Sequence, residues 1–280
     1  MKKYLNLFDF RQKVNYATEV LSGLTVALAL VPEAVAFAFL AGLSPLTGLY
    51  AAFSIGLITS IFGGRPGMIS GATGAIAIVF IGLIQELKLA DPSINTDTIT
   101  QYIFVTVVLA GIIQMLAGFF KLGKFIRLVP QSVMYGFVNG LAIVIFMAQF
   151  SSFKTEGEWM SGSSLYIMLG LVLLTMLIIF GLPKITKAIP SSLAAILVVF
   201  GLVKFFDLQT TSVGDLASIK GGFPPFNIPS LPMDFKTWII IIPYAFIVAA
   251  VGLVESLLTL NLIDEITETR GNGNKESVAQ

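Results

Sequence analysis

The stretch Ile69-Ser70-Gly71-Ala72-Thr73-Gly74 opens the third long apolar run of this sequence and decides how its fold is interpreted. Two glycines and two hydroxyl residues within six positions make a poor helix interior. The sequence therefore predicts a helix that begins near Thr73 or Gly74 and stays apolar to Ile84. Such a helix has about 11–12 residues and a length of about 17 Å, short of a full membrane crossing. The alternative is an uninterrupted helix with a packing face of small residues.

A half-helix that begins inside a membrane has particular chemical consequences. Its first backbone N–H groups lack partners, and the positive end of its dipole can attract an anion. Non-helical backbone is tolerated at that depth only if it is buried in protein or lines a watery cavity. The third run is therefore a candidate anion site.

The composition is that of an integral membrane protein. Of 280 residues, 56% are hydrophobic and only 12% are charged, and the mean hydropathy is +0.89. Soluble globular proteins carry about 25% charged residues, so this chain has too little polar surface to face water on all sides. We find eight apolar runs that favour membrane helices: Val20–Leu40, Leu46–Phe62, Gly71–Leu87, Tyr102–Phe120, Leu128–Phe150, Leu165–Leu182, Ile189–Phe206 and Trp238–Ile263.

The distribution of Lys and Arg predicts the orientation. With the N-terminus in the cytoplasm, twelve of the 17 Lys and Arg residues fall on the cytoplasmic side, as the positive-inside rule requires. We expect a multi-pass protein of the cytoplasmic (inner) membrane with both termini cytoplasmic. The expected organisation is a cytoplasmic segment 1–19, membrane segments 20–206, an extracytoplasmic Pro-rich loop 207–236, an eighth membrane segment 237–265 and a cytoplasmic loop 266–280.

Several classes of function are excluded by what the sequence lacks. It has no His and no Cys, which removes Ser–His and Cys–His catalysis, His or thiolate metal sites and disulfides. It contains no phosphate-binding G-x-x-x-x-G-K-[ST] motif, and a net charge of +1 does not indicate a nucleic-acid partner. An intramembrane enzyme would need an Asp pair or a Ser–Lys dyad, but no Asp or Lys lies in the middle of a run. We expect no enzymatic activity and no cofactor.

Two carboxylates lie within apolar runs, where ionisable groups are costly and point to function. Glu33 follows Pro32, which breaks the hydrogen-bond ladder of the first helix. Glu255 and Thr259 are four residues apart and share a helix face, so together they could bind Na⁺, or Glu255 could carry a proton. The alternatives are a structural partner for Glu33 and a helix–helix hydrogen bond for Glu255.

A longer pattern resembles a known family. Three blocks closely resemble the opening of the sulfate permease (SulP) family of inorganic anion transporters: Gly23-Leu24-Thr25-Val26-Ala27, Val31-Pro32-Glu33-Ala34-Val35-Ala36-Phe37-Ala38 and Ala41-Gly42-Leu43-Ser44-Pro45-Leu46-Thr47-Gly48-Leu49-Tyr50. Further similarity lies in residues 62–74, 130–140, 255–259 and 274–280.

The resemblance implies an all-α fold of two inverted repeats of seven segments. About eight segments are present here, the first repeat plus one helix, with a half-helix as the third segment. The family places an anion between the half-helices of segments three and ten. The implied substrate-binding residues are Ser70, Gly71, Ala72, Thr73, Gly74, Ala75, Pro32 and Glu33, and the implied ion-coupling residues are Glu255 and Thr259, where Na⁺ would be the only metal.

The expected function is secondary active transport of a small inorganic anion, of the sulfate or bicarbonate class, by alternating access with H⁺ or Na⁺ coupling. Because segment ten is missing, we expect an incomplete chain that does not transport efficiently alone. The alternatives are a nucleobase permease of the same architecture and a non-transporting membrane scaffold. The expected partners are the anion, the coupling H⁺ or Na⁺ and the lipid bilayer, with a homodimer as a candidate assembly of the complete protein and no nucleic acid.

Overall fold

The computed structural model describes residues 15–123, 131–155, 158–186, 189, 191–208, 210, 222, 228–230 and 234–280. Their long helices are α1 (Tyr16–Leu40), α2 (Pro45–Phe62), α3 (Gly74–Ala90), α4 (Thr96–Phe119), α5 (Gln131–Gln149), α6 (Ser163–Ile185), α7 (Ser191–Phe205) and α8 (Phe235–Thr267). A short helix α9 (Gly273–Ala279) follows α8. A 3₁₀ turn (Phe150–Phe153) leads into an antiparallel pair, β1 (Lys154–Thr155) and β2 (Glu158–Trp159).

Each of the eight predicted apolar runs overlaps one of the long helices, so the all-α class is confirmed. Five of the helices are long and apolar enough to cross a membrane, namely α1, α2, α4, α6 and α8. The third helix is only 17 residues long and begins at Gly74, as the sequence predicts. It ends later than predicted, at Ala90, because Gln85, Glu86 and Lys88 are good helix formers that extend it beyond its apolar part. The predicted segments 1–19 and 207–236 lie largely outside the described residues.

The chain forms two compact units. The first comprises residues 1–12, 34–142 and 220–280, of which 1–12 lie outside the described part. Its core lies where α4 and α8 pack against α3, and the side chains of Leu83, Ile103 and Ile241 are almost completely buried there. Small residues on the packed faces, such as Ala77 and Ala249, let the helices approach closely.

The second unit comprises residues 13–33 and 143–219, and within it α6 packs against α7. Before α6, the Lys154 ammonium lies 4.8 Å from the centre of the Trp159 ring. The ring of Phe150 meets the same Trp159 edge-on, at 6.5 Å between centroids. An aromatic cluster with a cation fits the boundary between membrane and water, where amphipathic rings are enriched.

Residues 266–280, expected to be a loop, contain a buried helix. In α9 the side chains of Glu276 and Ser277 are 2% and 1% exposed, and the helix packs against α2, α4 and α8. A run of polar residues favours a loop when the sequence is considered alone. Here Oε2 of Glu276 accepts the N–H of Gly64, and the Ser277 hydroxyl donates to the carbonyl of Gly273, so both side chains can be buried.

Gly48 marks the tightest contact of α2 within the first unit. A Cβ atom at this position would overlap the carbonyl oxygen of Ala34 and lie 2.7 Å from the Cβ of Ala38. Since backbone cannot move aside cheaply, only Gly lets α2 approach the end of α1 this closely.

We predict opposite effects for two Gly-to-Ala changes. Gly48→Ala should lower the free energy of unfolding by about 1–3 kcal/mol, because the added methyl group overpacks the α1–α2 contact. Gly111→Ala in α4 should be neutral or should stabilise the chain by up to about 1 kcal/mol, because nothing lies within 4 Å of that Cβ position. Thermal unfolding of the detergent-solubilised chain, followed by circular dichroism, measures both. Equal melting temperatures for the two variants would contradict the assigned contact.

Candidate functional site

The N-terminus of α3 is built as a capped helix start after an irregular stretch. Residues 68–73 form no regular secondary structure. Thr73 is extended (φ −123°, ψ 141°) and its hydroxyl accepts the N–H of Ile76 at 3.3 Å. Helix geometry leaves the first N–H groups without partners inside the helix. The Thr73 side chain satisfies one of them, so those of Gly74 and Ala75 remain available to a ligand.

Glu255 on α8 faces this helix start. Its carboxyl group lies close enough to the Thr73 side chain for the two to interact. The Oε2 atom is inaccessible to solvent and has no hydrogen-bond partner in the described part of the chain. A buried carboxylate oxygen without a partner is costly, and a bound proton or cation would remove that cost. The structure thus brings together Thr73 and Glu255, two of the residues that the sequence predicts for the site.

Thr259 is placed differently. Its hydroxyl donates to the backbone carbonyl of Glu255 at 3.0 Å, and its side chain is exposed, one turn beyond the carboxylate. This is the local back-bonding that Thr often makes within helices. No group of three or more acidic side chains able to hold a metal ion occurs among the described residues. The role of Thr259 in binding Na⁺ stays a prediction.

Gln114 on α4 is a site neighbour that sequence analysis missed. Its side chain is 7% exposed, and its Nε2 donates to the carbonyl of Ala249 at 3.3 Å. A Cβ atom at Gly252 would lie 2.5 Å from this Nε2 and 3.9 Å from the side chain of Ile76. Gly252 therefore lets α4, α8 and the first turn of α3 meet one helical turn from Glu255. The sequence did contain a signal for Gln114, because it is a polar residue within a long apolar run.

The remaining predicted site residues fall into three groups. The Ser70 hydroxyl accepts the Nε2–H of Gln280 at 2.7 Å. Gly71 and Ala72 are half-buried, and Gly74 and Ala75 are buried. Pro32 and Glu33 lie in α1, within the second unit, and the Glu33 side chain is exposed. Their assignment to the substrate site stays a prediction.

The chain is similar to known proteins over almost its whole length. Residues 16–280 match the sulfate permease family. The protein named "Putative sulfate transporter YbaR" of Bacillus subtilis is 44% identical over 277 residues, which cover 98% of this chain and 54% of that protein. The bicarbonate transporter BicA of Picosynechococcus is 30% identical over 293 residues, which cover 98% of this chain and 50% of that protein.

A solved structure is also similar to this chain. The transmembrane domain of a cyanobacterial bicarbonate transporter BicA superposes with a TM-score of 0.80 at 27% identity, covering 97% of this chain and 71% of that one. This chain thus has the fold of the corresponding part of that domain. It spans about half the length of the curated relatives it matches.

We predict that the cap of α3 depends on the hydroxyl of residue 73. Thr73→Val keeps the shape of the side chain but leaves the Ile76 N–H unpaired, and should cost about 1 kcal/mol of stability. Thr73→Ser keeps the hydroxyl and should stay within about 0.5 kcal/mol of the original chain, since Ser caps at least as well as Thr. Thermal unfolding in detergent measures the difference, and equal losses in both variants would refute the capping role.

Proposed function

The chain belongs to the sulfate permease family, and we propose on this basis that it forms part of a secondary active transporter for a small inorganic anion. The proposed substrates are of the sulfate or bicarbonate class, the anions named for its relatives YbaR and BicA. The chain is a multi-pass membrane protein. We place it in the cytoplasmic membrane with both termini in the cytoplasm, because that orientation puts most Lys and Arg residues inside.

One observation supports the proposal above all others: the buried, unpartnered Oε2 of Glu255 faces the open N-terminus of α3. The N–H groups of Gly74 and Ala75 and the helix dipole would bind the anion. The carboxylate of Glu255 would take up the coupling ion, H⁺ or Na⁺. An anion and its coupling cation would then lie side by side.

Electrostatics gives this arrangement a coupling mechanism. Two negative charges about 6 Å apart repel by about 3 kcal/mol at an effective dielectric constant of about 20. When H⁺ or Na⁺ neutralises Glu255, that repulsion disappears and the anion binds about a hundredfold more tightly. Each ligand thereby raises the affinity for the other, as reciprocal linkage requires.

Alternating access would need segments beyond these residues. We propose that a second repeat supplies a facing half-helix and the remainder of the moving parts, as inverted-repeat transporters do. In such a transporter the first unit would move with its bound ions, and a homodimer is a candidate assembly. A nucleobase permease is the second candidate, since the free oxygen of Glu255 could accept a hydrogen bond from the N–H of a base.

The decisive experiment uses a chimera in which residues 1–280 replace the matching half of YbaR. Reconstituted into liposomes, the chimera should show saturable uptake of radiolabelled sulfate or bicarbonate that unlabelled anion inhibits and uracil does not. The 280-residue chain alone should give no efficient uptake. YbaR and empty liposomes are the controls.

Three outcomes of this experiment would contradict the proposal. Uptake of uracil by the chimera would favour the nucleobase permease. Absence of anion uptake by a monodisperse chimera, while YbaR is active, would favour the scaffold. Substrate-dependent uptake by the 280-residue chain alone would refute the proposal that transport needs segments beyond these residues.

Glu255→Gln in the same chimera tests coupling. Gln is neutral like protonated Glu, so anion binding should stay measurable while uptake driven by H⁺ or Na⁺ falls, by about tenfold or more. Glu265→Gln, which changes an exposed carboxylate on the same helix, is the matched control and should transport normally. If the pH and Na⁺ dependence of Glu255→Gln equals that of the original chimera, Glu255 has no coupling role.

A further inference from the structure

The connection between α2 and α3 is held by residues that follow it in sequence by about 200 positions. Its first fixed point is Gly64, whose N–H donates to Oε2 of Glu276 at 2.7 Å and whose carbonyl accepts the N–H of Asn272 at 3.0 Å. A Cβ atom at Gly64 would overlap the carbonyl of Asn272 and lie 2.7 Å from the backbone nitrogen of Glu276. Both backbone polar groups of Gly64, its N–H and its C=O, are therefore bound by the α9 region.

Arg65 is the second fixed point. Its side chain is 5% exposed, and its Nη1 lies 2.8 Å from Oδ1 of Asp264 at the end of α8. The Nη2 atom donates to the hydroxyls of Thr267 and Thr269, at 2.7 Å for the latter, and to the carbonyl of Ile263 at 3.3 Å. A buried charge is tolerated when it has an ion-pair partner and several hydrogen bonds. Arg65 has both.

Ser70 is the third fixed point, and it lies within the proposed anion site. Gln280 donates one Nε2–H to the Ser70 hydroxyl at 2.7 Å, and the same nitrogen is 3.2 Å from Oε1 of Glu276. Glu276 thus binds Gly64 through one oxygen and Gln280 through the other. Only three residues separate Ser70 from the start of α3 at Gly74.

The element that provides these contacts is itself firmly packed. A Cβ atom at Gly118 of α4 would lie 2.5 Å from the side chain of Val278, and one at Gly273 would lie 3.0 Å from Leu257. Glycine at both positions lets α9 lie directly on α4 and α8. The contacts to Gly64 and Ser70 are therefore made by residues of a region that is closely packed on α4 and α8.

We propose that Arg65, Asp264, Glu276 and Gln280 form a clamp that positions the anion site. The inference rests on the proposed function. Irregular backbone loses its conformational freedom only when it is held, and the clamp holds residues 64–70 directly before the N–H groups of α3. Asp264 belongs to the same helix as Glu255, nine residues or about 14 Å further on. The clamp therefore fixes both halves of the site relative to each other.

The test measures transport kinetics in the chimera with YbaR. Gln280→Ala removes one hydrogen bond at the site end of the clamp, and Glu276→Ala removes the bonds to both Gly64 and Gln280. Both variants should raise the half-saturation concentration for the anion, by about tenfold for Glu276→Ala, with the maximal rate per folded molecule within about twofold. Glu265→Ala, which removes an exposed carboxylate on α8, should change neither quantity.

A second measurement does not depend on transport. Because the chain has no Cys, Ala72→Cys introduces a single thiol in the stretch before α3. In the 280-residue chain, sulfate should slow the reaction of this thiol with a maleimide, and adding Gln280→Ala should abolish that protection. This readout applies even if Glu276→Ala fails to fold.

The possible results separate the two proposals. No saturable uptake by the unsubstituted chimera would overturn the proposed function. Normal uptake by the chimera with an unchanged half-saturation concentration in both clamp variants would overturn the positioning role alone. Loss of folded protein with an unchanged half-saturation concentration and intact sulfate protection would show that the clamp only stabilises the fold, and would also overturn the inference.

Discussion

A bilayer offers no water to backbone N–H and C=O groups, and the irregular residues between α2 and α3 must therefore find partners within the protein. They find them in three ways: the Thr73 hydroxyl caps α3, the Gly64 peptide is bound on both sides by the α9 region, and Ser70 pairs with Gln280. The first N–H groups of α3, at Gly74 and Ala75, are left without such partners. The proposed anion site lies at these groups.

The cost of burying charge explains why Arg65 and Asp264 of the first unit are paired. Arg65 and Asp264 are both largely buried, and the guanidinium has additional partners at the end of α8. Glu255 differs, since one of its oxygens is buried and unpaired. Among the described residues, the guanidinium of Arg65 is ion-paired with Asp264 although its Nε has no partner, whereas Oε2 of Glu255 has neither an ion pair nor a hydrogen bond. That contrast supports the proposed role of Glu255 in binding a coupling ion.

Local signals in the sequence were sufficient for much of the fold. The eight apolar runs, the break before Gly74 and the intramembrane Glu255 all follow from properties of neighbouring residues. The burial of α9 could not be predicted in that way, because its environment is created by distant segments. Gln114 stood out as a polar residue in an apolar run, but its partner Ala249 lies on another helix. Glu276 and Gln280 resemble loop residues until Gly64 and Ser70 lie opposite them. The site residues that sequence analysis missed are those whose partners lie far away along the chain.

The pairing of Gly64 with Glu276 spans 212 positions, and this has a consequence for biosynthesis. A ribosome adding about 5–20 residues per second needs about 10–40 s to reach the second partner after the first has emerged. During that interval the six intervening long helices, α3 to α8, are synthesised while Gly64 still has neither of its hydrogen bonds. The backbone N–H and C=O of Gly64 must therefore find other partners, such as water, until α9 has been synthesised.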